Sequence, residues 1–183
     1  MLQLVPALAA SLLACVLVAA PALAEQIHGV EVGHTVFLKE RTQTSNCTLS
    51  PNPDRQCSPG AYYSALTKKR VCAADFRTDP IRLVPQSEND AVEQEYGLPL
   101  MNYGKTLESD HIVSLELRGS NDIANLFPEK RDVSPGYKAK DKLENKLHDL
   151  VCDGKLTLRT VRQRIASNWQ KLYKNVYGVA ATG

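Results

Sequence analysis

The chain has 183 residues, which suits one domain with at most a small appendage. Its net charge is only +2, so it is not a uniformly basic protein, and it shows no internal repeat or long low-complexity tract. The charge is uneven, because residues 25–128 hold 10 Lys and Arg against 14 Asp and Glu, whereas residues 129–183 hold 12 against 6. The basic C-terminal third favours binding to a polyanion, although basic side chains that merely solvate two helices give the same pattern.

Residues 1–24 are predicted to be a secretory signal peptide. They contain no charged residue and end in Ala22-Leu23-Ala24, the small-residue pattern of a signal-peptidase site, but they lack the usual basic start. Two alternatives are an uncleaved membrane anchor, for which about 20 apolar residues suffice, and a lipoprotein box at residues 12–15. The signal-peptide interpretation predicts a periplasmic or secreted protein without stable membrane association after cleavage.

Residues 25–104 are predicted to form a loop-rich N-terminal segment. Residues 42–60 are rich in Thr, Ser, Asn and Pro, a composition typical of loops. Farther along, Ser87 is a plausible cap for a short helix, which Gly97 is expected to end.

Cysteines are predicted to stabilise this segment. The chain expected after signal cleavage has four of them, Cys47, Cys57, Cys72 and Cys152. An even number in an exported protein predicts two disulfides, with three possible pairings. Buried free thiols and a zinc site are the alternatives, although the chain has no Cys-x-x-Cys pair.

A β-hairpin is predicted between residues 106 and 128. The first strand is expected to contain the apolar residues Ile112, Val113, Leu115 and Leu117. Residues 118–122 are expected to form the turn, and residues 123–127 the second strand. Pro128 is expected to end the pairing because it has no N–H to donate.

Two helices are predicted after the hairpin. Ser134-Pro135 is typical of a helix start, and Leu143 and Leu147 belong to an apolar stripe that continues to the stop signal at Asp153-Gly154. The second helix is expected from near Thr157 to about residue 177. Its stripe includes Trp169, which is therefore expected in the core and not in base stacking.

Residues 107–175 resemble a family of small exported bacterial HNH-endonuclease-like proteins. The matching stretches are DHIVSLELRGSNDIANLFPE, KAKDKLENKLHDLVC and the helix segment ending in IASNW, and CSPG…RVC is more loosely similar. The resemblance implies an α+β fold with a ββα-metal (HNH) core and a C-terminal helix in residues 105–178. It also implies a metal-dependent, largely sequence-nonspecific endonuclease that hydrolyses DNA or RNA.

The resemblance assigns roles to three residues of the hairpin. His111 corresponds to the general base, Asp110 to a metal ligand, and Asn125 to a brace that orients the histidine. The alternatives are a local Asp110-His111 ion pair or solvated strand end, and an Asx-type turn at Asn125. Neighbours in a regular strand face opposite sides, so Asp110 and His111 can serve one phosphate only at an irregular strand end or a wrapped edge.

The third histidine of the HNH motif is missing from residues 134–140. Asn145 and His148, on one helix face with Asp141, are predicted to supply further metal ligands, and Mg²⁺ is the expected metal, with Mn²⁺ or Zn²⁺ as alternatives. Asp141 and His148 could instead interact with the helix dipole. The missing histidine favours the alternative function, a catalytically inactive nucleic-acid-binding or envelope interaction protein.

Lys138, Lys140 and Lys142 are predicted to contact phosphates near the start of this helix, with surface solvation as the alternative. DNA, or RNA, is the expected partner.

Overall fold

The computed structural model describes residues 25–101, 106–130 and 136–181, and these ranges form an α+β fold. The strands are β1 (Gln26–Ile27), β2 (Val30–Glu31), β3 (Thr35–Phe37), β4 (Ala61–Tyr63), β5 (Leu107–His111) and β6 (Leu126–Lys130). The helices are α1 (Lys68–Val71), α2 (Gln86–Glu95), α3 (Tyr137–Cys152) and α4 (Leu158–Tyr177). The strands pair as three antiparallel ribbons, β1–β2, β3–β4 and β5–β6.

An antiparallel hairpin does precede α3, but the predicted strand bounds are wrong. Its strands β5 and β6 pair from Leu107 opposite Lys130 to His111 opposite Leu126. The predicted apolar strand residues Leu115 and Leu117 instead lie in a 3₁₀ turn, and residues 123–125 form a second one. Both turns belong to the connection between the strands. The connection is buried and therefore rich in apolar residues, so its sequence resembles that of a strand.

Pro128 lies inside β6, opposite Ser109, so the prediction that it ends the pairing is also wrong. A two-stranded ribbon consists of two edge strands, and a proline is tolerated there when its nitrogen faces away from the partner strand.

The two C-terminal helices follow the sequence prediction closely. The hydroxyl of Thr157 caps α4 by accepting a hydrogen bond from the N–H of Thr160 at 3.1 Å. Trp169 is fully buried, as predicted, and its indole N–H donates to the carbonyl of Pro51. Gly136 occupies the cap position of α3, whereas the predicted start at Ser134-Pro135 lies outside the described residues.

The short helix in the N-terminal segment is α2, which begins two residues earlier than predicted. Its cap position is Pro85 and not Ser87, so the predicted side-chain cap is wrong. Gly97 follows the helix with a φ of +64°, a left-handed conformation that glycine adopts readily, and this confirms the predicted stop.

Two disulfides confirm the interpretation of the four cysteines. Cys47–Cys57 closes the loop within residues 42–60, which has neither helix nor strand. Cys72–Cys152 joins the end of α1 to the end of α3 and so ties the N-terminal segment to the helix beside the hairpin. Among the described residues, no helix is long and apolar enough to cross a bilayer, and the predicted signal peptide lies outside them.

Two apolar clusters hold these elements together. The larger one joins the hairpin connection, α3 and α4 with Val92 and Tyr96 at α2, so it draws on both sides of the predicted boundary at residues 104–105. The smaller one packs the N-terminal ribbons against Ile81 and Leu115. The connection between β5 and β6 therefore lies between both clusters, which fixes the position of the strand ends.

Candidate active site

His111 is the last residue of β5, and its side chain is only 3% exposed. Its Nε2 atom lies 3.1 Å from the side-chain oxygen of Asn121. Its Nδ1 atom lies 3.4 Å from a guanidinium nitrogen of Arg82, an exposed residue on the loop before α2. The imidazole is thus held between a buried amide and an exposed cation.

Asn121 fixes the tautomer of this histidine. Its amide nitrogen donates to the hydroxyl of Tyr63 at 2.9 Å and to the carbonyl of Ile81 at 2.8 Å, which turns its oxygen towards His111. An oxygen can only accept, so Nε2 carries the proton and donates it to Asn121. The lone pair is therefore on Nδ1, next to Arg82.

The imidazole is neutral near neutral pH. Burial lowers the pKa of His111 to about 4, and the positive charges of Arg82 and Lys140 act in the same direction. The charge of Asp110 and the hydrogen bond to Asn121 raise the pKa but do not outweigh these effects. A neutral imidazole can accept a proton on its unprotonated nitrogen, and here the lone pair of Nδ1 accepts a hydrogen bond from Arg82.

Asn125 makes the contacts of a bracing residue. Its side-chain oxygen accepts from the N–H groups of Ala61 at 3.1 Å and Val113 at 3.0 Å. Its amide nitrogen donates to the carbonyls of Val113 at 3.0 Å and Ser120 at 2.7 Å. The fully buried side chain therefore ties the connection after His111 to strand β4.

Asp110 faces a different group, the side chain of Lys140 on α3. The Lys140 ammonium lies 2.6 Å from a carboxylate oxygen of Asp110 and 2.5 Å from one of Glu144. It also donates to the backbone carbonyl of His111 at 2.7 Å. The Lys140 side chain is only 1% exposed, so three oxygen atoms replace its water shell.

The carboxyls around Lys140 are strongly perturbed. Burial, together with the nearby negative charge of Asp110, raises the pKa of Glu129 to about 9. Burial likewise raises the pKa of Glu144 to about 8, against the attraction of Lys140. Burial alone would lower the pKa of Lys140, but Asp110 and Glu144 outweigh it and the pKa rises. Lys140 is therefore charged, and Glu129 holds a proton at neutral pH.

The side chains of Asp110 and His111 consequently serve two environments. Neighbouring residues of a strand point to opposite faces, and here Asp110 meets α3 whereas the imidazole meets Asn121 and Arg82. His111 contacts the Lys140 ammonium through its backbone carbonyl and not through its imidazole. The pair that is adjacent in sequence is divided between the two sides of the ribbon.

The predicted helix ligands are not brought to Asp110. Asn145 is exposed, and His148 lies at the other end of α3, where its Nε2 atom is 3.0 Å from the carbonyl of Val71. His148 lies instead beside the Cys72–Cys152 bridge. The potential ligand atoms of these three residues lie within 4.8 Å of one another, so the group could hold a metal ion. Because two of its three members share a disulfide, it could do so only after reduction.

The three predicted phosphate-binding lysines are divided as well. Lys138 and Lys142 are exposed on α3, and the Lys142 ammonium lies 4.8 Å from the centre of the Tyr177 ring. The prediction for Lys140 is wrong, because its buried ammonium is bound to Asp110 and Glu144 and cannot reach a phosphate on the surface.

The chain matches no protein-family model, no curated protein and no solved structure. The resemblance to HNH endonucleases therefore remains an interpretation of the sequence, and the chemistry of the site must be argued from its own contacts.

Asn121 and Arg82 are the site residues that the sequence interpretation missed. The sequence could have indicated Asn121, since this residue ends the Gly-Ser-Asn turn ten residues after His111. No sequence feature indicated Arg82, because it lies 29 residues before His111 in a segment without a recognisable motif. Together they orient the imidazole and place a cation beside its unprotonated nitrogen.

Proposed function

We propose that the chain hydrolyses phosphodiester bonds in DNA or RNA, with His111 as the general base. The observation that carries this proposal is the oriented, neutral imidazole whose unprotonated Nδ1 accepts a hydrogen bond from the exposed guanidinium of Arg82. A general base and a cation for the phosphate are groups that such hydrolysis uses.

The proposed reaction is a displacement at phosphorus by water. Nδ1 of His111 takes a proton from the attacking water, and the water oxygen bonds to phosphorus. The bond between phosphorus and the leaving oxygen breaks, and that oxygen receives a proton from the imidazolium or from solvent. Arg82 neutralises charge on the non-bridging oxygens, since a guanidinium can donate two parallel hydrogen bonds to a phosphate.

Arg82 also couples substrate binding to the strength of the base. In the free protein its charge helps to lower the pKa of His111. The single negative charge of a phosphodiester bound to Arg82 would neutralise that positive charge. The pKa of His111 would then rise towards the working pH, which makes the imidazole a better proton acceptor when substrate is present.

A divalent metal at Asp110, as the HNH resemblance implies, does not fit the residues in this structure. The carboxylates that would hold it already surround the Lys140 ammonium, and the third HNH histidine is missing. The proposed hydrolysis therefore has no step through a metal at this position.

The expected partner and location follow from the surface and the cysteines. Lys138 and Lys142 are exposed on α3 and are proposed to hold the nucleic-acid backbone. Two disulfides suit an oxidising compartment, so the proposed location is the periplasm or the outside of the cell.

A second candidate function is nucleic-acid binding without cleavage. It is favoured by the burial of His111, whose side chain is only 3% exposed. The missing third histidine is consistent with this alternative.

A cleavage assay distinguishes the two functions. The purified oxidised protein is incubated with supercoiled plasmid and with single-stranded RNA. The proposal expects cleavage by the parent and by Arg159→Ala, an exposed arginine on α4, and its loss in His111→Gln with binding retained. Removing a general base typically lowers a rate on the order of 10²–10⁴-fold. Binding of either substrate without cleavage would support the second candidate instead.

A further inference from the structure

Lys140 is a fully buried cation with three oxygen partners, and no surface or catalytic role explains it. Its ammonium has three N–H donors. The three partners are Oδ2 of Asp110, Oε1 of Glu144 and the carbonyl oxygen of His111, at 2.6, 2.5 and 2.7 Å. One atom is thus surrounded by two carboxylate oxygens and one backbone carbonyl oxygen.

These are the ligand types of a hard divalent cation. Calcium in proteins takes carboxylate and carbonyl oxygens at about 2.3–2.6 Å, close to the distances around the Lys140 nitrogen. A third carboxyl, that of Glu129, is buried beside Asp110. The cluster therefore has the oxygen atoms of a cation site, with a covalently attached ammonium at its centre.

We propose that Lys140 takes the place of a divalent cation in the cluster formed by Asp110, Glu129, Glu144 and the carbonyl of His111. The protein consequently binds no divalent metal there, and shortening the lysine opens a metal site. This inference concerns cation binding alone, so it holds whether or not His111 cleaves phosphodiesters.

The tethered ammonium gives the site a structural consequence. Lys140 is joined through Asp110 to β5 and through its own backbone to α3, so it fixes the helix to the strand that carries His111. Because the cation is part of the chain, chelators cannot remove it.

The test compares Lys140→Ser with Lys140→Met in the full oxidised protein. Serine leaves the volume of the butylammonium group open to a metal, whereas methionine removes the charge but fills most of the space. Lys146→Ser, at an exposed position on α3, controls for the loss of one positive charge. Binding of Mn²⁺ is measured by electron paramagnetic resonance, and thermal unfolding is followed with Mn²⁺ and with Ca²⁺.

We expect Lys140→Ser to bind one Mn²⁺ and to gain about 5–10 °C in Tm when the metal is 100-fold above its Kd. The parent, Lys140→Met and Lys146→Ser should show neither effect. Two results would overturn the proposal. One is a Mn²⁺ site in the parent that Asp110→Asn abolishes. The other is a Lys140→Ser protein that gains no metal site, including one that stays unfolded with and without Mn²⁺.

Discussion

One side of the β5–β6 ribbon keeps an imidazole neutral, whereas the other side keeps an ammonium charged. His111 lies between Asn121 and Arg82, no carboxylate of the described residues is hydrogen-bonded to its ring, and burial lowers its pKa to about 4. Lys140 is equally buried, but Asp110 and Glu144 contact it directly and raise its pKa. Burial alone does not decide the charge state of a group. The direct partners do, and strand alternation gives adjacent residues different partners.

The two sides also respond to pH in opposite directions. The pKa of His111 is lower in the folded chain than its ordinary value, so its contribution to stability is present above pH 6.5 and is lost as the pH falls towards 4. The pKa of Glu129 is raised to about 9, so its contribution is present below about pH 4.5 and is lost as the pH rises towards 9. Each trend can be tested separately.

The largest effect on the free energy of unfolding is expected when the positive charge of Lys140 is removed. Lys140→Met leaves the carboxylate of Asp110 without its counter-charge and the buried carboxyl of Glu144 without its hydrogen-bond donor, which typically costs about 3–5 kcal/mol. Urea unfolding at pH 7 measures the loss, and Lys146→Met on the exposed face of α3 should stay within about 0.5 kcal/mol of the parent. If both variants unfold at the same urea concentration, Lys140 does not compensate these charges.

The histidine side is tested by the pH dependence of His111→Gln. The shift from 6.5 to about 4 corresponds to about 3 kcal/mol, which the parent should lose between pH 7 and pH 4 and the variant should not. Arg82, Asp110 and Lys140 face this group and remain in the variant, so the difference isolates the imidazole. Parallel stability curves for the two proteins would mean that His111 has no lowered pKa.

Glu129→Gln is expected to show the opposite trend with pH. The neutral amide resembles the protonated acid, so the variant should match the parent near pH 5 and exceed its unfolding free energy by at least about 1 kcal/mol at pH 9. A variant that loses stability at pH 9 would show that Glu129 is ionised in the folded protein.

The smallest expected effect is on the salt dependence of nucleic-acid binding, in which Lys138 and Lys140 should differ. Each phosphate contact contributes about 0.9 to the slope of log affinity against log salt for duplex DNA. Lys138→Ala should reduce that slope by about this amount, because Lys138 is exposed, whereas Lys140→Met should leave it unchanged. Equal reductions would place Lys140 on the binding surface after all.

The sequence predicted the helices well because their apolar stripes bury one face, as the stripe containing Leu143 and Leu147 shows. It misplaced the strands because β5 is polar, with Glu108, Ser109 and Asp110 in its middle, so no apolar alternation marks it. The apolar pattern came from the connection that both clusters enclose.

The charged cluster was missed for a related reason. Lys138, Lys140 and Lys142 resemble a solvated basic surface when they are read as a group. Helical spacing, however, places Lys140 three residues before Leu143 and seven before Leu147, on the buried stripe. A lysine there needs a buried carboxylate, and its partner in β5 could not be identified without the hairpin register.

Hydrolysis with His111 as the general base and with Lys140 as the cation at Asp110 is tested by single-turnover cleavage. The parent and His111→Gln are each assayed with EDTA and with Mg²⁺. We expect equal parent rates in both buffers and a loss on the order of 10²–10⁴-fold in His111→Gln. Parent cleavage that requires Mg²⁺, or a His111→Gln protein that cleaves at the parent rate, would contradict this mechanism.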